Sequence, residues 1–271
     1  MSECPRKLGS YFQESALDSE LCQGGVSVWS DELSMAWDKG KANVVAVSAQ
    51  MDAGGGLVLD KSMLPNLCIN DNETLVLTSA HIVDSKSSIL VGTYNSKGEM
   101  GSQGMDEAQL VALDREKDLA LLKVSLSESA GGPLSGIKTD DLSGAKAGER
   151  ALAVLTEDSS RALAVFQVGS VSRYGALGGS AIRRQFPLVT MTDDTSLVVL
   201  TTPDLPGTSG SPVISEAGKV IGLVSQRLPD TAGNKVHFDK LHRPLWRTAA
   251  AVSSSEIENF LQSVDKKAAV N

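Results

Sequence analysis

Aromatic side chains are scarce in this chain, at 4% of residues, and no run of apolar residues is long. The first scarcity means that a core must be built from Val, Leu, Ile and Ala rather than from stacked rings. The second excludes a membrane-spanning helix, which needs about 18 or more consecutive apolar residues. Basic charge is also in deficit: 33 Asp and Glu outweigh 25 Lys and Arg, for a net charge of −8. That balance excludes nucleic acid as the main partner, because phosphate contacts need a basic footprint. The three cysteines, Cys4, Cys22 and Cys68, are odd in number and far apart, so they suggest neither a disulfide framework nor a metal spacing. His237 and His242, with Asp239 between them, fall short of a structural zinc site. Neither a metal nor another cofactor is expected. The start, Met1-Ser2-Glu3-Cys4-Pro5-Arg6-Lys7, has no apolar segment like that of a secretory signal. The expectation is a cytoplasmic protein if Met1 is the native start, and otherwise a secreted or periplasmic one whose leader has been removed.

Glycine is plentiful, at 25 of 271 residues, and 41% of the chain is hydrophobic. This composition suits an all-β protein with many turns, long enough to bury a substantial core.

One turn stands out. Gly207-Thr208-Ser209-Gly210-Ser211-Pro212 leads into the apolar run Val213-Ile214 and then into Val220-Ile221-Gly222-Leu223-Val224. A small-residue turn between strands is a way to present a serine as a nucleophile. Gly207 lets the backbone turn so that its N–H and that of Ser209 point at one spot, where an oxyanion would form. Taken alone, the hexapeptide also reads as an ordinary tight hairpin. A hydroxyl nucleophile needs a base, and an imidazole base needs an orienting acid. His81 follows the apolar strand Leu75-Val76-Leu77-Thr78 on a short turn. Asp118 opens Leu119-Ala120-Leu121-Leu122, a strand apolar on both faces, so its carboxylate is expected to be buried and in need of a donor such as an imidazole N–H. Read singly, His81 is a turn histidine, and Asp114, Arg115, Glu116 and Lys117 are a solvated loop. Read together, His81, Asp118 and Ser209 each sit at a strand–turn border, in one of the orders of a serine-protease triad.

At these residues the chain resembles a known family. Thr78-Ser79-Ala80-His81-Ile82-Val83-Asp84, Asp118-Leu119-Ala120-Leu121-Leu122 and Gly207 to Pro212 resemble the signature blocks of chymotrypsin-fold (trypsin-like) serine proteases, in their HtrA/Deg-like or glutamyl-endopeptidase-like branch. Gly54-Gly55-Gly56-Leu57, Gly148 to Val154 and Val168-Gly169-Ser170 agree with it, and the likeness covers about residues 43 to 264. It implies two six-stranded antiparallel β-barrels, packed perpendicular to one another with the catalytic cleft between them. It also implies an oxyanion hole at Gly207, Thr208 and Ser209. Where digestive relatives carry an aspartate that receives a freed N-terminus, this chain has Thr208, so that activation salt bridge cannot form. Ser211 stands where glycine is commoner, as in glutamyl endopeptidases. The PDZ modules that commonly follow HtrA-type domains are absent, which suggests a stand-alone protease domain.

On this reading residues 1–42 form an N-terminal segment, with short helices expected over Glu14–Cys22 and Asp31–Lys39. Residues 43–125 form the first barrel, 126–147 the linker, 148–252 the second barrel, and 253–271 a helix and tail capped by Ser253-Ser254-Ser255. A trimer is implied by analogy alone, and Tyr11, Phe12, Trp29 and Trp37 are its one hint in the sequence. Val224-Ser225-Gln226-Arg227 forms one wall of the substrate pocket by resemblance, with Leu205 and Ala250 nearby. Arg227, where glycine often keeps a pocket open, either narrows it or favours an acidic residue. A small or medium aliphatic P1 residue is the first expectation and an acidic one the second. Two functions stand: a serine endopeptidase acting on protein or peptide substrates, or a dormant protease-fold binding protein with a collapsed oxyanion loop. If His81 is the general base, hydrolysis falls as pH drops through about 6 to 7, the ordinary imidazole range. A rate profile flat from about pH 5 to 8 contradicts that role.

Overall fold

The computed structural model describes residues 35, 36, 38, 40–50, 52–94, 105–127, 134–153, 167–176, 195–200, 207–228, 237–238, 244–245 and 248–270. The helix expected over Glu14–Cys22 lies outside them. That over Asp31–Lys39 is described in part, with residues 35, 36, 38, 40 and 41 helical.

Six strands close the first barrel: β1 (Val44–Ala49), β2 (Asp52–Leu59), β3 (Glu73–Thr78), β4 (Leu90–Thr93), β5 (Asp106–Asp114) and β6 (Leu119–Ser125), in the order β1-β2-β3-β6-β5-β4. A second closed barrel runs β10-β11-β14-β9-β8-β7. Its strands are β7 (Arg150–Ala153), β8 (Gln167–Ala176), β9 (Ser196–Leu200), β10 (Pro212–Ser215), β11 (Val220–Leu228) and β14 (Thr248–Ser253). All pairings within the barrels are antiparallel, and β12 (His237–Phe238) with β13 (Pro244–Leu245) makes a small separate ribbon. The all-β fold with two six-stranded barrels expected from the sequence is the fold observed.

Alternation along the strands explains why whole segments are apolar. Val58, Val76, Ala120 and Leu122 point into the first barrel, while Leu57, Leu75, Leu77, Leu119 and Leu121 point out of it into a second cluster. That outer cluster is shared with Leu152, Leu197, Ile214 and Leu223 of the second barrel. β3 and β6 are therefore sandwiched, which is why every residue of β3 is buried. Helix α2 (Ser254–Ala268), numbered after the four-residue α1 (Ala80–Val83), seals the same cluster with Ile257, Phe260, Leu261 and Val264 at helical spacing. Ser253 caps it by accepting from the Glu256 N–H, as the serine run suggests. The buried clusters are aliphatic apart from Phe260 among the described residues.

The segment between the barrels is stitched to both. Ile137 exchanges backbone bonds with the end of β2, donating to Val58 and accepting from Asp60, while Ser143 donates to Val220 of β11. Ile137 and Leu142 bury their side chains in the shared cluster, so the connection fixes the barrels as well as joining them.

At the start of β3, Glu73 is 8% exposed. The Asn70 N–H, 2.7 Å from its Oε2, holds the carboxyl below the usual glutamate range, and Lys123 at 3.0 Å adds to this. A folded-state pKa below the unfolded one stabilises the protein above the ordinary glutamate range, and that stability is lost as pH falls through the folded value. Glu73→Gln should therefore flatten the acid limb of thermal stability below about pH 4.5, read by melts across about pH 3 to 7. An unchanged limb contradicts the assignment.

Candidate active site

β3 ends at Thr78, which like the following Ser79 is fully buried, and the chain turns sharply into α1. Ser79 stands at the N-cap of α1, yet its hydroxyl leaves the helix and donates to the Val224 carbonyl of β11 at 3.0 Å. Ile82 and Val83 anchor the turn in the first barrel, so His81, between Ala80 and Ile82, is pushed outward with its side chain 48% exposed.

Asp118 ends the turn from Arg115 that links β5 to β6. Its φ is 55°, in the left-handed region, which a non-glycine residue holds at a cost of about 1–3 kcal/mol and where Asp is better tolerated than most. Only 5% exposed, its carboxylate accepts three kinds of donor. The His81 backbone N–H reaches Oδ1 at 2.9 Å, the His81 Nδ1 lies 2.9 Å from Oδ2, and the Ser225 hydroxyl of the second barrel donates to Oδ2 at 2.5 Å. The Asp118 carbonyl also accepts from the Ala80 N–H at 3.2 Å. This geometry fixes the ring by its Nδ1–H and leaves Nε2 as the basic nitrogen. Around it, Arg115 forks onto both Asp84 oxygens at 2.7 Å, tying the turn after Asp114 to the residue that follows α1. That guanidinium is the main reason the Asp84 carboxyl lies below the usual aspartate range.

Ser209 lies on the turn entering β10. Gly207 and Gly210 have φ of 91° and 78°, the left-handed backbone for which glycine is suited. Within the turn the Ser211 N–H donates to the Thr208 carbonyl at 3.0 Å, and Thr208 is buried. Gly55 N–H to the Ser209 carbonyl at 2.8 Å docks the turn across the barrel junction, and Gly210 N–H to the Val224 carbonyl at 2.7 Å holds it to its own barrel. The same Val224 carbonyl takes the Ser79 hydroxyl. One acceptor thus holds the residue two before His81 and the residue after Ser209.

The structure therefore bonds His81 directly to Asp118 and sets the Ser209 turn against the strand that precedes them. Of the expected pocket residues, Ser225 donates to Asp118, a role its sequence position did not reveal. Val224 and Ala250 are buried among core side chains. For Gln226 and Arg227 only the backbone of β11 is described, and Leu205 lies outside the described residues. Sequence reading also missed why Gly54-Gly55-Gly56 is there. A Cβ on Gly54 would lie 2.2 Å from the Ser209 carbonyl oxygen, and one on Gly55 2.3 Å from the Ser211 Oγ. The glycines let the second barrel's turn touch the first barrel's backbone. Among the described residues no cluster of His, Cys, Asp and Glu is placed to hold a metal ion.

Comparisons with known proteins bear on this arrangement. Residues 67–223, which include His81, Asp118 and Ser209, match the family described as trypsin-like peptidase domain. An uncharacterised protein of Sinorhizobium fredii, y4bJ, is 32% identical over 135 residues, which are 49% of this chain and 18% of that protein. The chain thus spans less than a fifth of the length of that relative. Among solved structures, the Rv3671c protease of M. tuberculosis in an inactive form superposes with a TM-score of 0.56 and 18% identity, over 85% of this chain and 92% of that one. The HtrA-type protease AlgW with a tripeptide gives 0.58 and 20% identity, over 86% and 64%. At that identity the structural likeness is one of fold.

Gly210 has as little room in this packing as Gly54. A Cβ there would lie 2.2 Å from the Gly55 oxygen and 2.5 Å from the Thr78 Oγ1, on top of the positive φ. Gly210→Ala should cost at least about 2 kcal/mol in chemical denaturation. A loss below about 0.5 kcal/mol, the range of ordinary surface changes, contradicts the docking described.

Proposed function

The chain belongs to the trypsin-like peptidase domain family, and on that premise we propose that it is a serine endopeptidase working through Ser209, His81 and Asp118. The observation that carries this reading is the half-exposed imidazole whose Nδ1 is held by a buried carboxylate, in a fold that docks a glycine-bounded serine turn on the strands leading to it. Nothing in a structural ion pair requires the ring to stand half exposed, whereas a base that exchanges protons with a substrate must be reachable.

Ser209 Oγ attacks the carbonyl carbon of the scissile peptide while His81 Nε2 takes its proton. The tetrahedral oxyanion is met by the N–H groups of Gly207 and Ser209, each such donor contributing about 3–4 kcal/mol of transition-state stabilisation. His81 returns the proton to the leaving nitrogen as the C–N bond breaks, leaving an ester on Ser209. Water, deprotonated by the same imidazole, then hydrolyses that ester. Asp118 fixes the tautomer and stabilises the imidazolium. The substrate is a protein or peptide, with the backbone of β11 after Val224 as its pairing edge. A small or medium aliphatic P1 residue is our first choice and an acidic one the second.

Ser209→Ala should abolish both labelling by a fluorophosphonate and peptide hydrolysis, while the melting temperature stays within about 2 °C, as expected for a surface change of a few tenths of a kcal/mol. Retained hydrolysis in that variant sinks the assignment. A wild-type protein left unlabelled in the presence of every substrate tried favours a peptide-binding role without turnover.

A further inference from the structure

Lys117, the residue before Asp118, reaches out of its turn to the Oε2 of Glu256 on α2. Glu256 is 6% exposed and its other oxygen accepts the Ser196 N–H, at 3.0 Å, at the start of β9. One carboxylate in the first turn of the C-terminal helix, where the helix dipole favours negative charge, therefore holds the acid's turn and the second barrel together. The helix is bolted again near its other end, where Asp265 accepts from the Asn66 N–H at 2.8 Å and from the Asn66 side-chain amide at 2.7 Å. Between these bolts α2 and β5 do not close completely. A cleft of about 400 Å³, lined by Leu67, Val111, Leu113, Phe260 and Val264 among others, separates them. The apolar face of α2 seats the helix on the cluster shared by the barrels, and the polar bolts fix its position at either end of the cleft.

Asp118 is a residue that needs such support. Its left-handed backbone persists only where the surroundings over-determine it. Within the turn, the Lys117 N–H donates to Asp114 Oδ1 at 2.9 Å, so the backbone of Lys117 is held from one side and its ammonium from the other. A shift of Lys117 moves the next residue, whose carboxylate orients the His81 ring.

We propose that the Lys117–Glu256 ion pair is a positioning device through which the C-terminal helix sets the orientation of Asp118, and with it the alignment of His81 for proton transfer. The inference rests on the serine-peptidase reading for its kinetic consequence, and on geometry alone for its structural one.

The test compares the wild type with Lys117→Met, Glu256→Gln and Lys117→Arg, in the full chain. Glu256→Gln keeps a carbonyl acceptor for the Ser196 N–H, and thermal melts establish that each variant is folded. The first reading is the downfield proton resonance of His81 Nδ1–H, assigned by its loss in His81→Ala. We expect it to move or broaden in Lys117→Met and Glu256→Gln and to return in Lys117→Arg. The second reading is peptide hydrolysis, where kcat should fall between about 10- and 100-fold with KM little changed, because misplacement affects the reacting geometry more than ground-state binding. An ion pair that merely stabilises the fold would lower the melting temperature and leave the resonance and kcat unchanged, which overturns the proposal. If the wild type shows no turnover yet the resonance moves in both variants, the peptidase reading fails and the positioning role stands.

Discussion

A carboxylate buried between two barrels has to be fully partnered, and the Asp118 side chain imposes that demand on everything around it. Taking an ion out of water costs several kcal/mol unless donors replace the lost hydration. Here the donors come from both halves of the molecule: the backbone and ring of His81 from the first barrel, and the Ser225 hydroxyl from the second. Each partner is in turn fixed. His81 stands on a four-residue helix whose apolar residues are sunk in the barrel, and Ser225 belongs to β11, whose neighbour Val224 receives both Ser79 and Gly210. The acid therefore cannot be satisfied unless the barrels are docked, and docking them sets the serine turn beside the imidazole's strand.

Docking of this kind requires that backbones touch. The Gly54-Gly55 pair in β2 and Gly210 in the serine turn remove the Cβ atoms that would hold them apart. The Gly55 N–H then pairs with the Ser209 carbonyl, and the Gly55 carbonyl accepts the Thr78 hydroxyl from the strand leading to His81. The outward-facing leucines of β2, β3 and β6 supply the apolar cement around these polar contacts. The apolar surface brings the barrels together, and the hydrogen bonds set their register.

Much of this was legible in the sequence because the informative residues are locally marked. Strands that are apolar on both faces announce burial on both sides, and His81, Asp118 and Ser209 each carry reactive chemistry at a strand–turn border. What was not legible depends on long-range partners. Ser225 bonds an acid 107 positions away, and nothing in Val224-Ser225-Gln226 points to it. Arg115 and Lys117 read as members of a solvated loop, yet both are committed to carboxylates, Asp84 in the first barrel and Glu256 on the final helix. The glycine run Gly54-Gly55-Gly56 entered the sequence reading only as part of the family resemblance, because its packing partner is a turn that lies far along the chain. Gln226 and Arg227, expected by resemblance to line the substrate pocket, are described only as strand.

We propose that the buried Asp118 carboxylate, and not merely the presence of a histidine and a serine, arms the site. Asp118→Asn preserves size and can still accept a hydrogen bond from Ser225, but it offers an amide where the imidazole tautomer needs a carboxylate. The most direct measurement is kcat for peptide hydrolysis by Asp118→Asn against the wild type at one pH, with folding checked by circular dichroism. The account predicts a fall of about 10⁴-fold in a folded protein. A fall of less than about tenfold would contradict it.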